Sequence, residues 1–241
     1  MSDKIKIFIG SSAMGEDKDI EKVYVESIKE NASREVDITF MRQTGDDKDF
    51  WYNPSTSRWS TPFSGYRWFI PEACNFQGRA IYTDCDMINF RDMAELIDTD
   101  LEGKPIAARP GTRFGGHEFC VMVFDCAAME QHLVPVKRQR FMEDYHHRMI
   151  NLFSGNQNLV KDLDPRWNSL DGDTGKVFGE EIYQLHYTNM ATQPWKPGWY
   201  TGTPQQHPRQ DLVDEFYRRL ETAPDLGINY EEVVDYGIIG R

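Results

Sequence analysis

Arg79-Ala80-Ile81-Tyr82-Thr83-Asp84-Cys85-Asp86-Met87 reads as a short buried strand that stops on two carboxylates spaced one residue apart. In an open α/β sheet, ligands bind beyond the carboxyl ends of the strands. Two hard oxygen donors at such an end can hold Mg²⁺ or Mn²⁺ with coordination positions left for substrate phosphates. The same pair also fits a plainer role, in which one Asp caps the helix that follows around Met93 and the other is solvated.

Working outward, Ile5-Lys6-Ile7-Phe8-Ile9 is apolar but for Lys6 and ends at Gly10-Ser11-Ser12, a buried strand opening into a loop. Ile20, Val23, Tyr24, Ser27, Ile28 and Asn31 then share one helical face, and Val36 to Met41 returns to a strand. This strand–helix–strand order predicts an α/β fold with a mostly parallel central sheet flanked by helices. Residues 43–62 read as a loop broken by Pro54 and Pro62, and Ser64 to Cys74 as a helix that Pro71 ends or kinks. Met93–Ile97 and Arg140–Phe153 read as helices and Phe119–Phe124 as a strand. Asp162–Gly179 is rich in turn residues, Gln193–Pro208 is rich in Pro and Gly, and Gln210–Leu220 is an amphipathic helix. No repeat or linker interrupts the chain, so residues 1–241 are expected to form one domain. Within it, about 1–100 and about 101–241 read as two parts, the second ending in the Pro- and Gly-rich stretch and the last helix.

Charge and cysteine usage narrow the partners. With 27 Lys+Arg against 39 Asp+Glu, the net charge is −12. That balance disfavours a general nucleic-acid or anionic-membrane binder, although a cation could still supply a local phosphate site. Cys74, Cys85, Cys120 and Cys126 are too few and too scattered for a secreted disulfide framework, so free thiols in a reducing cytoplasm are expected. The longest apolar run, Phe119–Phe124, is six residues, far short of the roughly twenty of a membrane span.

The acidic strand has company. Phe63-Ser64-Gly65-Tyr66-Arg67-Trp68-Phe69-Ile70-Pro71-Glu72 precedes it, with Arg67 seventeen residues before Asp84. Asn89-Phe90-Arg91-Asp92-Met93-Ala94-Glu95-Leu96 follows it, and His186-Tyr187-Thr188 with Gln193-Pro194-Trp195 lies far downstream. These blocks, in this order, resemble the nucleotide-sugar glycosyltransferases of the GT-A fold, in particular the glycogenin and galactosyltransferase-like family 8. The resemblance implies that Asp84, Asp86 and His186 ligate Mn²⁺, with Mg²⁺ the second choice because an imidazole suits the softer ion. It implies that Ile9, Gly10 and Ser11 lie against uracil and ribose, that Cys85 lends backbone contacts there, and that Arg67 pairs with a carboxylate or a phosphate. The implied reaction is transfer of a sugar from a UDP-sugar to a hydroxyl of a glycan, lipid or protein, with retention of configuration.

The chain departs from the family on the sugar and acceptor side. Gly115-Gly116-His117-Glu118-Phe119-Cys120 stands where the family carries an Asn-x-Gly turn, and Tyr145-His146-His147-Arg148 aligns with its Asp-Gln-Asp segment. Gln193 replaces the family's diphosphate-binding lysine, with Lys196 three residues on as a substitute. His117, Glu118 and His147 are the candidates for sugar hydrogen bonding or for accepting the acceptor's proton. A zinc site among His117, Glu118, His132, His146, His147, Cys120 and Cys126 has no compact ligand spacing behind it. Trp51, Trp59, Trp195 and Trp199 either stack on sugar or pin loops, and Gly198 and Gly202 would allow residues 193–208 to move as a lid. Two rivals remain. A sugar nucleotidyltransferase would need a basic phosphate loop that Gly10–Glu16 lacks, and a non-catalytic nucleotide-sugar-binding module would keep the fold without transfer.

Overall fold

In a computed structural model of the chain, which describes residues 4–54, 56, 58–111, 116–171, 181–196, 200–228 and 230, the apolar run Ile5–Gly10 forms β1. Helix α1 follows (Lys18–Glu30) and buries Ile20, Val23, Tyr24, Ser27 and Ile28 along one stripe. Asp19 and Glu21 in its first turn and Lys29 in its last complement the helix dipole. Strand β2 (Val36–Met41) pairs with β1 in parallel. Ser64–Phe69 is a 3₁₀ turn that runs into α2 (Ile70–Ala73), whose second residue is Pro71. The proline starts the α-helical turn rather than breaking it, because its missing N–H falls where no intrahelical partner exists.

Strand β3 (Arg79–Asp84) pairs in parallel with β1 and sets Gly10 opposite Asp84. After a turn at Cys85-Asp86 come β4 (Met87–Asn89) and α3 (Met93–Ile97). β5 (Ile106–Pro110) and β6 (His117–Asp125) complete the centre of the main sheet, followed by the short helices α4 (Cys126–Met129) and α5 (Val136–Gln139). Helix α6 spans Tyr145–Phe153, shorter at its start than the expected Arg140–Phe153. β7 (Val160–Asp162), β8 (Ser169–Leu170), β9 (Gln184–His186) and α7 (Gln210–Thr222) follow.

The main sheet has the order β2-β1-β3-β6-β5-β7, and β4-β9-β8 form a second, small sheet. Five strands of the main sheet run one way; β6 alone runs against its neighbours β3 and β5. Side chains alternate between the two sheet faces. Phe8, Ala80, Tyr82, Met122 and Phe124 point into one layer with Trp68, Tyr66 and Phe153. Ile7, Ile9, Ile81, Val121 and Val123 point into the other with Tyr24, Ile28 and Leu96. A third cluster, Ile20, Val23, Leu185, Tyr187, Trp195, Leu212 and Phe216, docks α7 and the small sheet onto α1.

The aromatic residues of the long loop serve the core. Trp51 stacks on Phe69 at 6.4 Å, Trp59 meets Tyr66 edge-on at 5.1 Å, and Trp195 stacks on Phe216 at 5.5 Å. Gly115, Gly179, Gly198 and Trp199 lie outside the described residues. All four cysteines are free thiols. Among the described residues no helix is long and apolar enough to cross a membrane.

Candidate metal centre at the end of the parallel strands

The chain reverses at Cys85-Asp86 and immediately enters β4, which pairs antiparallel with β9 so that Met87 lies opposite His186. A backbone bond from Tyr187 N–H to the Asp86 carbonyl, 2.9 Å, ties the two segments at that point. Residues a hundred positions apart in sequence are thereby fixed at the end of β3. His186 Nε2 lies 3.1 Å from Asp86 Oδ1 and 4.0 Å from Asp84 Oδ2. The cap role belongs to another residue. Asp92 accepts the Ala94 N–H at the start of α3, leaving Asp84 and Asp86 for the strand end.

Each donor is held by neighbours. Tyr82 gives its hydroxyl proton to Asp84 Oδ1, and Arg67 Nη2 stands 3.5 Å from the same oxygen. Arg67 also donates to the Ser64 carbonyl (2.7 Å), to the Phe119 carbonyl and to Tyr82 Oη (3.0 Å). Of the two roles the sequence left open for Arg67, the contact made is with a carboxylate. These bonds occupy Oδ1 of Asp84 and leave Oδ2 toward His186. On the other side of the imidazole, Nδ1 donates to Asn168 Oδ1 at 3.0 Å, because an amide oxygen can only accept.

That last bond tests whether the residues suit a divalent cation. With its proton on Nδ1, neutral His186 presents the Nε2 lone pair to the carboxylates. Asp86 Oδ1 is buried, with His186 Nε2 against it at 3.1 Å. His186 Nε2 thus faces both carboxylates, at contact distance from Asp86 and farther from Asp84, and both favour a positive charge there. Burial pulls the His186 imidazole down, yet Asp86 and the Cys120 thiol beside it outweigh burial and hold it well above its ordinary value. A proton fills the gap in the bare protein, and a metal ion would compete for the same place. The residues fit the group.

A further donor arrives from β6. Asp84, His186 and Cys120 offer ligand atoms that all lie within 4.8 Å of one another. Thr83 pairs with Val121 across the β3–β6 ladder, which brings Cys120 beside the last residue of β3. Nothing local in the sequence signals this.

The residues expected on the nucleotide side, Ile9, Gly10 and Ser11, stand at the end of β1. Ser11 is fully buried, donates its backbone N–H to Met41 O at 3.2 Å and gives its hydroxyl to Glu21. Glu21, also fully buried, is balanced by Arg42 Nη2 at 2.6 Å. Burial pushes the Cys85 thiol well up, so it stays protonated. Asp17, just before α1, accepts from the Trp195 indole at 3.3 Å. Burial, then the charges of Asp86 and Glu16, push its carboxyl up to about 7.

The acceptor-side candidates are not brought into contact with the acidic pair. His117 Nδ1 accepts the Gly155 N–H at 3.1 Å and its Nε2 pairs with Asp162 at 2.9 Å. Glu118 pairs with the buried Arg109 at 3.3 Å. His147 is exposed on α6, while His146 is buried and accepts from the Trp68 indole at 3.0 Å. Gln193 donates to the Tyr187 carbonyl at 2.8 Å, and Lys196 donates to the carbonyls of Met190 (2.9 Å) and Gln193.

No protein-family model matches the sequence. No curated protein matches it either. Solved structures do share its backbone. The galactosyltransferase LgtC, solved in complex with donor and acceptor sugar analogs, superposes with a TM-score of 0.62 at 13% identity, over 94% of this chain and 98% of that one. The bifunctional glycosyltransferase WbbM gives 0.63 at 14% identity over 92% of this chain, which spans half of the WbbM chain. The glycosyltransferase GlyE of Streptococcus pneumoniae gives 0.61 at 16% identity, over 95% and 61%. At such identities the likeness speaks to architecture, and that architecture is the GT-A fold of these glycosyltransferases.

Proposed function

We propose that the chain is a metal-dependent glycosyltransferase that moves a sugar from a UDP-sugar to a hydroxyl of a glycan, lipid or protein, with retention. The observation that carries this reading is that His186, from the far end of the chain, stands 3.1 Å from Asp86 and 4.0 Å from Asp84 at the carboxyl end of β3. The sequence resemblance and the shared fold supply the donor class; the uridine assignment and the stereochemistry rest on the resemblance alone.

Asp84 Oδ2, Asp86 Oδ1 and His186 Nε2 would hold Mn²⁺, or Mg²⁺ more weakly. When bound, the ion supplies charge neutralisation for a departing diphosphate. The protein's own part is placement. Tyr82 and Arg67 fix the Asp84 carboxylate, and Asn168 fixes the imidazole tautomer, so the donors need no reorganisation as the reaction proceeds. Ile9, Gly10, Ser11 and the Cys85 backbone form the nucleoside side. On the acceptor side we keep Glu118 as the candidate group in contact with sugar. Both ring nitrogens of His117 are committed elsewhere, which assigns it to positioning, and His147 sits on an exposed helix face.

Thermal unfolding with UDP, GDP and ADP, each with and without Mn²⁺, tests the donor half of the site. UDP is expected to stabilise the wild type only with Mn²⁺, and not at all in Asp86→Ala. Stabilisation by GDP or ADP in place of UDP would remove the uridine assignment, and no shift with any nucleotide would remove the reading. Lys196, which donates to two backbone carbonyls, favours one alternative, a module that binds nucleotide-sugar without transferring it. In that case UDP-sugars would stabilise the protein and release neither UDP nor sugar over long incubation.

A further inference from the structure

The metal reading above uses two carboxylates and an imidazole, and it leaves Cys120 without a task. This thiol is partly buried on β6 at the point where that strand passes the end of β3. It is within hydrogen-bonding reach of His186, and its ligand atom lies within 4.8 Å of those of Asp84 and His186. One ion in tetrahedral coordination, with bonds of roughly 2.0–2.3 Å to nitrogen, oxygen and sulfur, holds its donors about 3.3–3.7 Å apart. A closing movement of at most about 1 Å brings these three to that spacing. Arg67, which braces Asp84, also stands beside this thiol, which burial and then the Asp84 charge keep protonated in the bare protein. The Asn-x-Gly turn of the resembled family is replaced here by the segment ending in Cys120, so this donor belongs to this chain's own sequence.

We infer that Cys120 is a fourth protein ligand, making the centre a carboxylate–imidazole–thiolate site that prefers Zn²⁺ or Co²⁺ to Mn²⁺ and Mg²⁺. The inference rests on the metal-site reading of Asp84, Asp86 and His186. Its chemical basis is ligand softness. Thiolate selects zinc-class ions, whereas carboxylate and water suit Mg²⁺ and Mn²⁺. On binding, the Cys120 S–H bond breaks, its proton passes to buffer, and the sulfur lone pair forms the new bond to the ion. No electron is transferred.

The experiment uses the full chain, freed of metal with a chelator and titrated with Co²⁺, Zn²⁺ and Mn²⁺ in the absence of nucleotide. The wild-type Co²⁺ adduct is expected to show a near-ultraviolet thiolate-to-cobalt charge-transfer band, lost in Cys120→Ser, Cys120→Ala and Asp86→Ala. Zn²⁺ affinity relative to Mn²⁺ should fall by about 10–100-fold in Cys120→Ser, at least what loss of an outer-shell partner costs a metal site. If Cys120→Ser does not fold, Cys120→Ala and the wild-type cobalt spectrum decide the matter. A wild-type adduct without the band, or an unchanged Zn²⁺/Mn²⁺ ratio in the Cys120 variants, overturns the thiolate while the site itself stands on loss of binding in Asp86→Ala. A wild type that binds none of the three ions overturns both.

Discussion

Replacing Asp17 by asparagine removes a carboxylate buried beside the acidic pair. The Asp17 carboxyl is pushed from 3.8 up to about 7 by burial first and by Asp86 and Glu16 next. Because the folded chain binds this proton more tightly than the unfolded chain, the sign is fixed. The stabilisation is fully present below about pH 4 and is lost as pH rises through about 7. The full span is on the order of 4 kcal/mol, and roughly 3 kcal/mol of it falls between pH 5 and 8. Asparagine is neutral throughout and keeps an oxygen for the Trp195 indole. No helix cap is lost, since the Asp17 side chain makes no capping bond to α1. The stability difference between Asp17→Asn and wild type, measured by thermal unfolding in chelator, should therefore grow by about 3 kcal/mol in the variant's favour from pH 5 to pH 8. For a domain of this size that is roughly 5–10 °C in midpoint. The difference between the two proteins cancels the general repulsion expected of a chain with net charge −12. Saturating divalent cation should shrink the difference, because an ion held by Asp86 offsets the repulsion felt by Asp17. Parallel pH curves for variant and wild type would refute this account of the cluster.

Three more outcomes follow from particular contacts. Arg67→Met strands the Ser64 and Phe119 carbonyls and unpairs Asp84, so chemical denaturation should show a loss of about 3–5 kcal/mol; a loss under 1 kcal/mol contradicts the bracing role. In Gly10→Ala, the new Cβ would stand 2.6 Å from Phe63 Cδ2 and 2.9 Å from Tyr82 Oη. We expect about 1–3 kcal/mol of overpacking cost together with weaker cation binding in calorimetry, as Tyr82 is driven off Asp84. Asp92→Ala should cost about 1 kcal/mol through loss of the α3 cap while leaving cation affinity unchanged, which separates the capping carboxylate from the site carboxylates.

Strands buried on both faces, Ile5–Gly10 and the core of His117–Asp125, were legible as nearly continuous apolar runs, and the edge strand Val36–Met41 by its alternation of apolar and polar residues. The direction of β6 was not, since an apolar run carries no sign of whether its neighbour is parallel. β5 escaped notice because Ile-Ala-Ala-Arg-Pro has little strand character and hides a fully buried arginine, Arg109, which is balanced by Glu118 and the Asn168 carbonyl. β4 and β9 are three residues each, too short for any periodicity, yet they deliver His186 to Asp86. Asp84, Asp86 and His186 could be named beforehand from their motif blocks. Cys120 and Asn168 could not, because pairing across sheets, rather than spacing along the chain, puts them there.

The β4–β9 pairing also has a temporal consequence. A ribosome has exposed both carboxylates long before it reaches residue 186, so a nascent chain carries an acidic pair with no imidazole to balance it. The main sheet can assemble in that interval, because β7, its last strand in the chain, ends at Asp162. The centre itself closes late, through a contact of high sequence separation that is intrinsically slow to find. Pulse-labelling of stalled chains should accordingly find a protease-resistant sheet before any capacity to retain a divalent ion.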